Sequence, residues 1–194
     1  MLSVLGALVT SFGDLMNAFT MVPLTVDGRT LYYHELSVLI QSGQYWRLVT
    51  PIFLHFGIIH LLFNALWLML IGQRIELFES RSQLLVLVVV TGVAGNLAQF
   101  WWQPLIPFGG MSGVVYGLLG YLWLRYQLKP HPAYFLPPGI MLFMLIWLAI
   151  GFTPLMEWLF GVGVANFAHL GGLISGFFLA LVPPVKAKPL PPVV

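Results

Sequence analysis

Five apolar runs, at about residues 57–73, 83–103, 112–128, 138–156 and 165–182, limit what this chain can fold into more than any other feature. Each is close to the roughly 20 residues an α-helix needs to cross the hydrocarbon core of a bilayer. With 59% of residues hydrophobic and 7% charged, a soluble globule would expose far too much apolar surface. The chain therefore reads as an all-α, polytopic membrane protein whose spans form one compact bundle. Residues 1 to about 22 supply a sixth span, interrupted by Asp14 and Asn17; a central Asp costs roughly 2.5–3.5 kcal/mol on insertion scales. A cleaved signal peptide competes for that stretch, but it has no basic n-region and no small-x-small cleavage site. The expected domain is a single six-helix unit over residues 1–182. Pro183-Pro184 ends its last helix, and a Pro-rich tail follows over 183–194.

Between the first two spans, residues 23–55 carry Asp27, Arg29, Glu35 and Arg47 among tyrosines and Trp46, and read as a long first loop. Loops of that length are uncommon without a function. Its aromatics and Trp46-Arg47 suit the headgroup level, as Phe100-Trp101-Trp102 do elsewhere. Arg74, Arg81, Arg125, Lys129, Lys186 and Lys188 fall on one side of this layout, six of the eight basic residues. By the positive-inside rule both termini are cytoplasmic, which suits a bacterial inner (plasma) membrane. The net charge of +2 is too small and scattered for a nucleic-acid partner. With no cysteine, disulfides, Cys-ligated metals and a thiol nucleophile are excluded.

Once the spans are oriented, three non-adjacent ones place unusual polar groups at a similar depth below the outer surface. The fourth opens with Ser112, the second begins with His60 and Asn64, and the sixth has His169 near its outer end. Gly113, Gly117 and Gly120 form a small-residue stripe after Ser112, and Gly172 and Gly176 another after His169. Stripes of that kind let two membrane helices approach closely, so packing them together brings Ser112 and His169 near each other. Tyr116 shares the face of Ser112 and can pack on the imidazole. His60 and Asn64 are four apart and co-facial. His55, about 140° further round a continuous helix, should point elsewhere.

This set suits acyl transfer. Ser112 would be the nucleophile and His169 the base, with His60, Asn64 and the Ser112 backbone N–H as donors to an oxyanion. No acid lies near His169 in sequence, so the expected unit is a Ser-His dyad without a third acidic member. Each residue also has a plainer reading. Small residues around Ser112 serve helix packing, and His60 and Asn64 can hydrogen-bond between helices. Metal binding by His55, His60 and His169 is disfavoured because no carboxylate accompanies them and the His-Glu-x-x-His pattern is absent. Val114 stands where the soluble nucleophile elbow needs its last glycine. A small transporter would show paired broken helices in corresponding halves, which are not seen here.

Trp46-Arg47, His60-x-x-x-Asn64, Gly110-x-Ser112-Gly113 and Ala168-His169-x-x-Gly172, in this order and separation, resemble the rhomboid family of intramembrane serine proteases, most nearly the bacterial six-helix type. The likeness runs from about Trp46 to about Val182. It implies Ser112 as nucleophile, His169 as general base and acid, and His60, Asn64 and the Ser112 N–H as oxyanion hole. Tyr116 and Asn166 would support His169, and the loop at about 157–164 would cap the site while the fifth span gates lateral entry. Substrates would be transmembrane segments of other membrane proteins, within membrane lipid and with no cofactor. A non-catalytic membrane-protein binder of the same fold is the alternative; it would lack Ser112 or His169. One departure is Ser80, which stands four residues after Glu76 where the family often has glycine.

Overall fold

The computed structural model describes residues 17–27, 30–160 and 163–185. Most of the first apolar run, Asp14, Arg29, Lys186 and Lys188 lie outside the described residues. The first loop is more ordered than expected. It forms a two-stranded antiparallel hairpin, β1 (Leu24–Asp27) with β2 (Thr30–Tyr33), pairing Leu24 with Tyr33 and Asp27 with Thr30. A short helix α1 (Leu36–Gln41) and two 3-10 turns, Tyr45–Leu48 and Thr50–Phe53, follow. Elements this short carry too few residues for a hydrophobic period to register.

Arg47 corrects the interfacial reading of Trp46-Arg47 by half. Trp46 is exposed, but the Arg47 guanidinium is buried and donates to the carbonyls of Asn17 and Thr20 and to Gln44 Oε1. It thus ties the loop to the segment preceding the hairpin. Burial pulls the guanidinium below its ordinary pKa.

Five longer helices fall on the five apolar runs, with α2 continuing past its expected end near residue 73: α2 (Ile58–Phe78), α3 (Arg81–Trp102), α4 (Ser112–Leu128), α5 (Pro138–Gly151) and α7 (Asn166–Ala180). Helix α5 is shorter than its run because Pro154 cannot continue it, and α6 (Leu155–Phe160) starts afresh at the end of that run and extends into the expected capping loop. Ser80 accepts from the Gln83 N–H at 3.0 Å as the N-cap of α3, so the turn that departs from the family pattern is a capped one.

The exposed faces are apolar, the reverse of a soluble protein. Ile59 on α2 is 75% exposed and Leu142 on α5 is 61% exposed, as lipid-facing side chains are. Among the described residues, Ile58–Phe78, Arg81–Trp102 and Pro132–Gly151 are long and apolar enough to cross a membrane. This is a helical membrane protein. Helices α4 and α7 are shorter, at 17 and 15 residues; α7 keeps Ile174 and Phe178 on its exposed face. Every residue from Gly113 to Leu122 is buried, so α4 is enclosed on all sides by its neighbours.

Candidate active site

Helix α4 starts where the chain is pinned against the first loop. The Gly110 N–H donates to the Pro51 carbonyl at 3.0 Å, and a Cβ on Gly109 would collide with Leu54. Gly110 has φ +116°, in the region L side chains rarely adopt. That turn places Ser112 at the first helical position, partly accessible, with its N–H among the unpaired donors of a helix N-terminus.

The two glycine stripes meet as their spacing predicts. A Cβ on Gly172 would overlap the Gly113 carbonyl, and one on Gly176 the Gly117 carbonyl. On Gly113 it would stand 3.0 Å from the Ala168 carbonyl oxygen. At this separation His169 Nε2 lies 2.7 Å from Ser112 Oγ, across 57 residues of sequence. His169 is buried, and its Nδ1 has no hydrogen-bond partner among the described residues. Tyr116 stacks on the imidazole with centroids 4.7 Å apart and planes 24° from parallel. Its hydroxyl donates to the Met144 carbonyl of α5 at 2.7 Å.

His60 and Asn64 converge on the same turn. A Cβ on Gly110 would stand 2.8 Å from His60 Nε2 and 3.6 Å from Asn64 Nδ2, which leaves glycine as the residue that fits. The Asn64 amide also donates to the His60 carbonyl at 3.0 Å. Thus Ser112, His169, Tyr116, His60, Asn64, Gly110, Gly113 and Gly172 gather at one end of α4. Asn166 is near but engaged elsewhere: its amide reaches the Gly151 carbonyl, linking the start of α7 to the end of α5.

The expectation that His55 points away is overturned. Gly57, with φ +153°, starts α2 at Ile58, so the angular rule for a continuous helix does not extend back to residue 55. The His55 ring lies 5.0 Å from that of His60. His55 is fully buried, with Nδ1 3.2 Å from the Phe53 carbonyl, and burial lowers its pKa against the opposing effect of that bond. No group of three or more His, Cys, Asp or Glu residues able to hold a metal occurs among the described residues.

Sequence reasoning also missed Gln99. Gly92, Gly95 and Gln99 are spaced three and four apart on one face of α3, a pattern that signals a polar side chain turned inward. Gln99 is 1% exposed and meets the first turn of α7.

The profile of the Rhomboid domain matches residues 42–183. The Rhomboid protease GlpG of Salmonella choleraesuis (strain SC-B67) is 40% identical over 144 residues, covering 74% of this chain and 50% of that protein. Those of Salmonella newport (strain SL254) and Salmonella heidelberg (strain SL476) are 39% identical over the same shares. The chain spans about half the length of the curated relatives it matches. The matched region runs from the first loop to the end of α7 and takes in every residue that converges on Ser112, and on that ground the chain belongs to the rhomboid family.

Proposed function

We propose that this chain is an intramembrane serine endopeptidase that hydrolyses peptide bonds in transmembrane segments of other membrane proteins. The observation that carries the reading is the 2.7 Å contact between Ser112 Oγ and His169 Nε2 on two helices held together by facing glycines. The printed name of the relatives, rhomboid protease, points the same way.

As Ser112 Oγ attacks the scissile carbonyl carbon, its proton passes to His169 Nε2. The imidazole needs a free lone pair on Nε2, so its own proton sits on Nδ1. Negative charge builds on the carbonyl oxygen, where the Ser112 N–H, His60 and Asn64 can donate to it. Collapse breaks the C–N bond, and His169 returns its proton to the departing amine. Water then attacks the acyl-serine, gives its proton to His169, and releases the carboxyl product as Ser112 regains its hydrogen. Tyr116 holds the imidazole plane, Gly110, Gly113 and Gly172 permit the close approach, and Asn166 supports the start of α7. No cofactor enters any step.

The substrate segment must first leave its helix, because a helical backbone keeps its carbonyls in internal hydrogen bonds. We also propose a bundle of six spans over residues 1–182, with both termini on the cytoplasmic side of a bacterial inner membrane, and a tail over 183–194. Ser112→Ala should leave a folded protein that neither cleaves a transmembrane reporter nor reacts with a serine-directed phosphonate. Reporter cleavage at the wild-type rate by that variant would remove Ser112 from the mechanism.

A further inference from the structure

Helix α7 carries His169 in its first turn, yet it has no cap of its own. The residue before it, Ala165, offers no side-chain acceptor to the N–H groups that a helix start leaves open. The acceptor comes instead from α3. Gln99 Oε1 lies 3.1 Å from the Phe167 N–H and 3.3 Å from the Ala168 N–H, across 68 and 69 residues of sequence. The Ala168 N–H is shared with the Ala165 carbonyl at 3.0 Å.

The orientation of this amide is fixed from both ends. Two backbone donors require the oxygen to face α7, and Nε2 on the other side donates to Gln103 Oε1 at 2.8 Å. One turn earlier on α3, a Cβ on Gly95 would lie 2.8 Å from the Ala168 carbonyl oxygen. Gly171 fits equally closely, with its added Cβ 2.7 Å from that of Ala98. Helix α7 is therefore seated sterically on α3 as well as on α4. Steric seating sets the distance between helices, whereas hydrogen bonds to particular N–H groups also set rotation and axial position.

We propose that Gln99 is a positioning residue for His169: its side-chain oxygen caps α7 from α3 and fixes the register in which the imidazole meets Ser112. The inference rests on the Ser-His reading above. Loss of the oxygen frees the turn immediately before His169. An ångström-scale misplacement of a catalytic group costs on the order of a hundredfold in rate.

The test compares the purified full chain with Gln99→Met, which keeps the length of the side chain without a strong acceptor, and Gln99→Glu, which keeps the acceptor oxygens at a helix N-terminus that favours negative charge. Gln99→Met should lower both kcat on a transmembrane reporter and the phosphonate labelling rate of Ser112 by about tenfold or more, with KM within about twofold of wild type. Gln99→Glu should recover most of both rates. Wild-type labelling by Gln99→Met, a rise in KM at constant kcat, or equal loss in Gln99→Glu would each overturn the proposal. If Gln99→Met does not fold, Gln99→Glu alone decides, supporting the cap if labelled near the wild-type rate and overturning it if slow. Absence of labelling in the wild type would count against the protease reading instead. Amide exchange at Phe167 would still read the cap: faster in Gln99→Met supports it, unchanged overturns it.

Discussion

Tyr116 shows how one residue can serve two neighbours. Its ring covers the His169 imidazole, and its hydroxyl holds the Met144 carbonyl on α5, so the side chain joins the candidate dyad to the helix expected to admit substrate. The two roles separate by mutation. Tyr116→Phe keeps the stack and loses one buried hydrogen bond, which should cost about 1 kcal/mol of stability and leave kcat near wild type. Tyr116→Ala opens a cavity beside the imidazole. It should cost about 3–5 kcal/mol, as aromatic truncations in cores do, and lower kcat by about tenfold or more. Thermal unfolding and reporter kinetics on the two variants read both effects. The pairing of Ser112, Tyr116 and His169 was legible in the sequence because each lies on a regular helix whose spacing fixes its face. His55 was not, because its direction depends on where α2 starts, and that is decided by the backbone at Gly57.

Among the elements, α4 and α7 show why glycine spacing carries so much information here. Side chains in a bilayer gain little from leaving lipid, so helices associate through close packing, and a stripe of glycines marks where backbones can touch. The contact is sensitive to one methyl group. Gly176→Ala would drive a Cβ into the Gly117 carbonyl and should destabilise by about 1–3 kcal/mol, as overpacking does, while slowing cleavage by shifting α7 away from α4. Gly139→Ala on α5 is the matched control, since its Cβ would meet nothing within 4 Å, and should be neutral within about 0.5 kcal/mol. Unfolding curves for the pair in one detergent give the comparison. The second seating of α7, on α3 through Gly95 and Gly171, followed from no single stripe. The spacing of Gly95 and Gln99 marks an inward face of α3, but only the packed helices show that this face meets the start of α7.

Across the whole molecule the bundle is closed by polar groups at the end opposite Ser112, about 20 Å along α4 at 1.5 Å per residue. There Glu79, just past α2, accepts from the Tyr121 hydroxyl at 2.7 and 2.9 Å, and Tyr121 in turn accepts from Gln83 and Arg125. Arg125 reaches the Val182 carbonyl at 2.5 Å, while Gln83 and Ser80 hold both backbone groups of Val185. The ends of α2, α3 and α4 and the segment after α7 are thereby fastened together. Burial holds the Glu79 carboxyl above the usual range; the Tyr121 hydroxyl, Arg125 and Tyr134 pull it back down without cancelling the effect. A raised folded value means the folded chain binds more protons than the unfolded one between the ordinary carboxylate range and that value. This group's contribution to stability is therefore greatest in acid and falls as pH rises through that window. Wild type should gain stability relative to Glu79→Gln as pH is lowered from neutrality, checked by unfolding temperatures of the two proteins over an acid series. An unchanged difference would show that Glu79 does not titrate there.

From sequence alone came the membrane class, the ends of most helices, the family likeness and the meeting of Ser112 with His169. These depend on hydropathy, proline stops and glycine periods, which are local properties that a run of residues carries with it. Tertiary structure decided the rest: the cap that Gln99 lends to α7, the turning of His55 toward His60, the burial of Arg47 and the closing cluster at Glu79. In each of these a polar group finds its neighbour across tens of residues or across the turn that begins a helix. No periodicity along the chain records which buried donor will face which acceptor once the helices are packed.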